Sequence, residues 1–198
     1  MRVTIFDYGA GNLHSLSKAI AGDGVQLVIE TDPSRAVDTD VLVLPGVGAF
    51  APAANRIAPA LTTMRDAISG GLPTLGICLG MQLLLDTSGE GPGAGLGVIR
   101  GRVERLTAGR VPQIGWNSVD DASEPLLCRA NLSSVYYANS YVCCPRDATV
   151  VTSWSTHDGT RFPATVRAGA TVGVQFHPEK SSQPGVRFIH AFLDEARR

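Results

Sequence analysis

Thr74-Leu75-Gly76-Ile77-Cys78-Leu79-Gly80-Met81-Gln82-Leu83-Leu84 decides the reading of this chain. An apolar run reaches Gly-x-Cys-x-Gly and passes without a break into a second apolar stretch, the pattern of a buried strand that turns sharply into a helix. Glycine is expected at 76 and 80 because so tight a turn leaves little room for a Cβ on either side of the cysteine. A helix beginning beside Cys78 would bring partial positive charge and free N–H groups to the sulfur, which favours a nucleophilic thiolate and can hold an oxyanion. The competing reading is a small buried cysteine whose glycine neighbours merely ease packing.

Upstream, Val3-Ile5, Val25-Ile29 and Val41-Leu44 join Thr74-Cys78 as short β-branched runs, each flanked by Gly, Pro or Asp. With helical patterns between them, this βαβ rhythm predicts an α/β fold built on a mostly parallel central sheet flanked by helices. Helices are predicted over Asn12-Ile20, where Leu13, Leu16 and Ile20 share a face and Asn12 is a plausible N-cap, from Ala53 to Ser69, and from Gly80 to Asp86. Gly89 to Gly97 is the densest glycine patch and reads as a surface loop. Beyond it the rhythm changes to short strands at Arg102-Leu106, Val135-Val142, Thr149-Trp154, Ala164-Val166 and Val172-Phe176, which predict a mixed or antiparallel extension of the sheet. Pro184 to Arg198 closes the chain as a helix with Val186, Ile189, His190 and Leu193 on one face. One domain spanning residues 1–198 is the expectation, with no internal repeat.

Composition narrows the function. Seventeen basic against 18 acidic residues give a formal charge of −1, which removes the electrostatic drive for a nucleic-acid partner. At 44% hydrophobic residues a real core is available and disorder is excluded. Asp7 interrupts the opening apolar run where a signal peptide would have to continue, and no run approaches the roughly 18 apolar residues of a membrane span. Cysteines at 78, 128, 143 and 144 contain no C-x-x-C pair, so neither a zinc site nor a disulfide framework is expected, and a cytoplasmic setting is the economical one. Gly9-Ala10-Gly11-Asn12 follows the first strand but does not complete Gly-x-Gly-x-x-Gly, which speaks against a dinucleotide cofactor.

A thiol nucleophile needs a base and a group to orient that base, and the chain has four histidines. His14 and His190 fall in helical patterns and His157 in a polar turn, whereas His177 follows the strand ending at Phe176 and heads His177-Pro178-Glu179. In an extended segment residues two apart face the same side, so the imidazole and the carboxylate are presented together. A surface histidine with a casual acidic neighbour is the alternative. Leu44-Pro45-Gly46-Val47-Gly48 lies at the carboxyl end of a sheet strand, where ligands of open α/β sheets bind, and its glycines could aim an N–H at a developing oxyanion alongside that of Leu79. A plain βα turn is the competing reading.

Taken together, Pro45-Gly46-Val47-Gly48, Gly76-Ile77-Cys78-Leu79-Gly80-Met81-Gln82 and Gln175-Phe176-His177-Pro178-Glu179-Lys180-Ser181, in this order and at these separations, resemble the class I (triad) glutamine amidotransferases over essentially the whole chain. Within that family Asp7-Tyr8-Gly9-Ala10-Gly11-Asn12, Gly115-Trp116-Asn117 and His177-Pro178-Glu179-Lys180-Ser181-Ser182 resemble the glutaminase subunits of imidazole glycerol phosphate synthases. The resemblance implies a flavodoxin-like fold and hydrolysis of glutamine to glutamate and ammonia by Cys78, His177 and Glu179, without metal or cofactor. It further implies a heterodimer in which a cyclase subunit uses the ammonia to form imidazole glycerol phosphate and an aminoimidazole carboxamide ribotide in histidine biosynthesis.

By the same resemblance, Leu79 and the Gly46-Val47-Gly48 turn would supply oxyanion donors. Gln82, Ser140 and Tyr141 would hold the glutamine head group, and Asn12, Trp116, Asn117, Lys180 and Ser181 would face the cyclase or line the ammonia route. For Trp116 a packed core position stands as an equal alternative, and for Lys180 a solvated charge. Two positions depart from the family: Gln113 and Asn139 stand where histidine is usual, which bears on coupling to the partner and on glutamine binding respectively. Cys143-Cys144 has no derivable role. Two other functions are compatible with the motifs, a glutaminase feeding a different synthase such as that of vitamin B6, and a catalytically idle interaction domain.

Overall fold

Continuous burial along β-branched strands near the start of the chain, such as residues 3–6 and Val41–Leu44, puts them at the centre of a layered molecule. The computed structural model describes residues 1–9 and 13–198. The first half runs β1 (Arg2–Phe6), α1 (Leu13–Ile20), β2 (Gln26–Glu30), α2 (Pro33–Ala36), β3 (Val41–Leu44), α3 (Phe50–Ile57), α4 (Leu61–Ser69), β4 (Thr74–Ile77) and α5 (Leu79–Leu83). The second half runs β5 (Thr87–Ser88), β6 (Gly101–Arg105), β7 (Gln113–Ser118), α6 (Pro125–Ala130), β8 (Ser134–Asn139), β9 (Tyr141–Pro145), β10 (Val151–His157), β11 (Thr160–Ala168), β12 (Thr171–Val174) and α7 (Ser182–Ala196).

Seven strands form the main sheet in the order β10-β11-β12-β4-β3-β1-β2. From β12 to β2 all pairs are parallel, while β10 and β11 add the antiparallel edge. Both faces of the parallel part are covered, so its strands read as continuous apolar runs whose successive side chains go to opposite sides. Val41 and Val43 join the core shared with Leu16, Ile20, Phe188 and Phe192, while Leu42 and Leu44 join the core shared with Ile57, Met64 and Met81. Helices α1 and α7 therefore cover one face, and α3, α4 and α5 the other.

Several expectations need correction. The helix predicted from Ala53 to Ser69 is two helices separated by a 3-10 turn at Ala58–Ala60, because Pro59 has no N–H to donate and its ring crowds the preceding turn. The helix predicted to reach Asp86 stops at Leu83. Val135-Val142 is broken at Ser140, and its halves enter different sheets: β8 pairs β7, and β9 pairs β6. Val172-Phe176 was expected in the extension but supplies β12, a parallel strand beside β4, and this brings the segment after it to the nucleophile turn. On α7, Ile189 and Leu193 are buried as expected, but Phe188 and Phe192 complete the buried stripe, and His190 lies half-buried with Nε2 3.0 Å from the Ala19 carbonyl. Asn12, the expected N-cap of α1, lies outside the described residues.

Candidate active site

Strand β4 turns into α5 at Cys78, whose φ of 47° and ψ of −102° lie in a region that L-residues rarely occupy. Hydrogen bonds on both sides hold the strained residue: its N–H donates to the Val174 carbonyl on β12 at 2.7 Å, and its carbonyl accepts from the Gln82 N–H at 3.1 Å. The flanking glycines are required by close approach. A Cβ at Gly76 would stand 2.8 Å from the Gly80 backbone, and one at Gly80 would stand 2.0 Å from the Leu44 carbonyl oxygen on β3. With no side chain at either position, the end of β3 and the start of α5 meet directly, which puts the first helical amide, Leu79, near the turn that follows Leu44.

His177 is fully buried, and its Nδ1 lies 2.8 Å from Glu179 Oε1. The extended geometry expected for His177-Pro178-Glu179 is not what brings them together. Only His177 is extended, and Pro178–Lys180 forms a 3-10 turn that folds the carboxylate back onto the ring. The backbone of His177 is fixed as well, since its N–H donates to the Tyr136 carbonyl at 2.8 Å and its carbonyl accepts from the Ser181 hydroxyl at 2.7 Å. Burial works against a charged ring, but the Cys78 sulfur and then the Glu179 carboxylate outweigh it, and the imidazole pKa is pushed up to about 9. The other ring nitrogen, Nε2, is buried without a hydrogen-bond partner among the described residues, so it is the nitrogen left to exchange a proton with the reacting groups.

Cys78 opens onto a cavity of about 180 Å³ bounded by Gly46 and Gly48 on one side, Leu79 and Gln82 on α5, and 138–141 opposite. Gln82 Nε2 donates to the Tyr141 carbonyl at 3.2 Å, and the Asn139 amide donates to the same oxygen at 3.2 Å. Gln113 and Asn139 face each other across the β7–β8 ladder, both buried, and each keeps a side-chain carbonyl oxygen without a partner among the described residues. Two residues at this site were not anticipated. Glu90 reaches into the cavity from the glycine-rich loop and is anchored there by the Phe50 N–H at 2.8 Å from Oε2. Its signal in the sequence was being the single charged residue of Gly89 to Gly97. Tyr8, buried just past β1, donates its hydroxyl to the Pro45 carbonyl and so ties down the turn ahead of Gly46. Burial pushes this phenol well up, with Cys78 and Asp7 adding to it, so it remains a donor.

The residues expected to face a partner separate into two groups. Trp116 is 55% exposed and packs edge-to-face on Tyr136 at 6.2 Å, with exposed Lys180 6.0 Å above the same ring and Ile114 nearby on β7 at 68% exposed. That removes the packed-core reading of Trp116. Asn117 Nδ2 donates to the Thr156 carbonyl at 2.9 Å. Ser181, expected beside Lys180 on the ammonia route, is buried, donates its hydroxyl to the His177 carbonyl and accepts from the Tyr136 N–H at 3.0 Å. Asn12 lies outside the described residues. Cys143 is buried and Cys144 exposed, both as free thiols.

A doubly covered parallel sheet, a cysteine at a strained strand-to-helix turn and a buried His-Glu pair together define a triad amidotransferase. The chain belongs to the class-I glutamine amidotransferase family, whose model matches residues 4–196. It is similar to the imidazole glycerol phosphate synthase subunit HisH of Pyrococcus furiosus, 39% identical over 194 residues that cover 96% of this chain and 97% of that protein. The HisH subunit of Moorella thermoacetica is 40% identical over 201 residues, covering 98% of this chain and 95% of that one. Among solved structures, PurLQS from Thermotoga maritima superposes with a TM-score of 0.76 at 18% identity, covering 98% of each chain, which speaks to the fold alone.

Proposed function

We propose that this chain is the glutaminase subunit of an imidazole glycerol phosphate synthase, a single domain that works in the cytoplasm as a heterodimer with a cyclase subunit. The observation that carries the reading is the constellation at Cys78: a sulfur at the mouth of a small polar cavity, with a buried imidazole and carboxylate behind it. Similarity to HisH subunits over nearly the whole chain supports the particular synthase.

Glutamine enters the cavity with its side-chain amide toward Cys78, its head group held by Gln82 and the backbone at Ser140 and Tyr141, and its amino group toward the Glu90 carboxylate. The Cys78 thiolate attacks the amide carbon, and the oxyanion is met by N–H groups of Leu79 and of the Gly46-Val47-Gly48 turn. Collapse of that intermediate breaks the C–N bond as His177 gives its proton to the leaving nitrogen, which departs as ammonia and leaves a glutamyl thioester. His177, now neutral, takes a proton from water as the water attacks the thioester; glutamate leaves and Cys78 returns to the thiolate. Glu179 holds the ring in the required tautomer throughout. A second cavity of about 60 Å³ shares Gly46 with the first and reaches Glu179 and Lys180, which supports an exit for ammonia toward the face bearing Ile114, Trp116 and Lys180. An exposed apolar pair beside a cation on that face suits a protein partner.

Ammonia release from glutamine, measured with and without a cyclase subunit and its ribotide ligand, tests the proposal. Weak hydrolysis by the chain alone, strong activation in the loaded complex and loss of both in Cys78→Ala are expected. A Cys78→Ala chain that releases ammonia at the wild-type rate would sink it, and co-assembly with a different synthase would move the ammonia elsewhere.

A further inference from the structure

The reaction as described gives Gln175 no task, although its side chain is fully buried against the nucleophile. Strand register puts it there. β12 pairs β4 in parallel with Val174 opposite Ile77, so the next residue on each strand, Gln175 and Cys78, stand side by side. Gln175 Nε2 donates to the Cys78 sulfur at 3.5 Å, and Gln175 Oε1 accepts from Gln82 Nε2 at 3.4 Å.

Partners tell the two ends of each amide apart. The Tyr141 carbonyl can only accept, so Gln82 must turn its nitrogen to it. The second proton of that nitrogen reaches the Gln175 oxygen, which leaves the Gln175 nitrogen as the end that meets sulfur. Every bond in the line takes its direction from a backbone carbonyl, and the line ends as a donor aimed at Cys78. A hydrogen bond donated to the charged form of a group favours that form, and a buried donor favours it more than an exposed one because no water competes.

Resting on the reading of Cys78 as the nucleophile, we propose that Gln175 is a positioning residue whose side-chain amide holds the Cys78 thiolate in its attacking orientation and links it, through Gln82, to the glutamine cavity. Gln82 then serves two ends at once, with the substrate pocket on one side and the nucleophile's support on the other.

The test is the pH profile of Cys78 alkylation by iodoacetamide, followed by peptide mass spectrometry from about pH 5 to 10, in the wild-type chain and in Gln175→Met and Gln175→Glu. Thermal unfolding of each chain is measured alongside. The other titratable groups around the sulfur, His177, Tyr8, Cys143 and the Glu90 of the shared cavity, stay in place in both variants. Gln175→Met removes the donor and should move the alkylation midpoint up by about one pH unit, a roughly tenfold slower reaction at a fixed pH below it. Gln175→Glu keeps the shape but sets a carboxyl group against the sulfur, and should move the midpoint at least as far. In the complex with the cyclase, both variants should lose kcat while KM for glutamine changes little, a split that a merely structural role would not produce. Midpoints within ~0.3 of wild type in folded variants overturn the proposal. If Gln175→Met does not fold, the isosteric Gln175→Glu decides in the same way. The nucleophile reading fails separately: it falls if wild-type Cys78 is not alkylated ahead of the exposed Cys128 and Cys144.

Discussion

Replacing Gly80 by alanine separates close approach from helix propensity, because the two predict opposite signs. On propensity alone, Gly80→Ala in α5 should stabilise the chain by about 1 kcal/mol. The structure forbids it. The added Cβ would stand 2.0 Å from the Leu44 carbonyl oxygen, 2.7 Å from its carbon and 2.9 Å from the Leu44 Cβ, where ordinary contact begins near 3.4 Å. Relief requires β3 and α5 to part by about 1.4 Å, the difference between the oxygen distance and that contact limit. Both elements are packed in a core with little free volume, so the cost lies at the upper end of the ~1–3 kcal/mol typical of overpacking. For a chain of this size that corresponds to a melting temperature lower by roughly 6–12 °C. The same displacement pulls Leu79 away from the Gly46-Val47-Gly48 turn, and an oxyanion site opened by an ångström loses on the order of 10²-fold in kcat. Calorimetry and ammonia release in the complex read the two effects. A Gly80→Ala chain that melts at or above the wild-type temperature with full activity would show that the elbow yields freely, and the geometric account of its glycines would be wrong.

Two further outcomes follow from the same site. His177 has its pKa raised from 6.5 unfolded to about 9 folded. The associated stability is therefore fully present below about pH 6.5 and lost as pH rises through about 9; at 1.36 kcal/mol per pH unit it amounts to about 3 kcal/mol, divided between Cys78 and Glu179. Glu179→Gln should accordingly destabilise the chain by roughly 1 kcal/mol near pH 6.5, with the deficit shrinking above pH 9; a deficit that is flat with pH in urea titrations would mean that the carboxylate does not support a charged ring. Glu90→Gln exchanges a charged acceptor for a neutral one in the glutamine cavity, and a charge-assisted bond of about 1.5–3 kcal/mol translates into a KM for glutamine roughly 10–100-fold higher with kcat nearly kept. Unchanged KM in steady-state assays would take the substrate's amino group away from Glu90.

The parts of this protein that were legible in the sequence are those in which chemistry and local geometry coincide. Gly76 and Gly80 flank Cys78 because a backbone approach demands it, and that demand is written in three positions; Val41-Leu44 is a strand buried on both faces, and its unbroken apolar run says so. What stayed hidden depends on partners distant in the chain. Glu90 is 40 residues from the Phe50 N–H that anchors it, and Gln175 is 97 from the cysteine it touches, so no local pattern could announce either contact. Strand β7 was missed for a different reason, because it is inside out: Gln113 is buried while Ile114 and Trp116 lie in solvent, against the rule that the apolar members of an alternating strand face the core. The inversion is itself informative. A free monomer gains nothing from 68% and 55% exposure of an isoleucine and a tryptophan on one short strand, and keeping a glutamine on the inner side carries a desolvation cost. Such a strand makes physical sense when its outer side is also an inner side, covered by a second protein. That protein would sit over Tyr136, whose carbonyl holds the backbone of His177, so binding there and the orientation of the base share one residue.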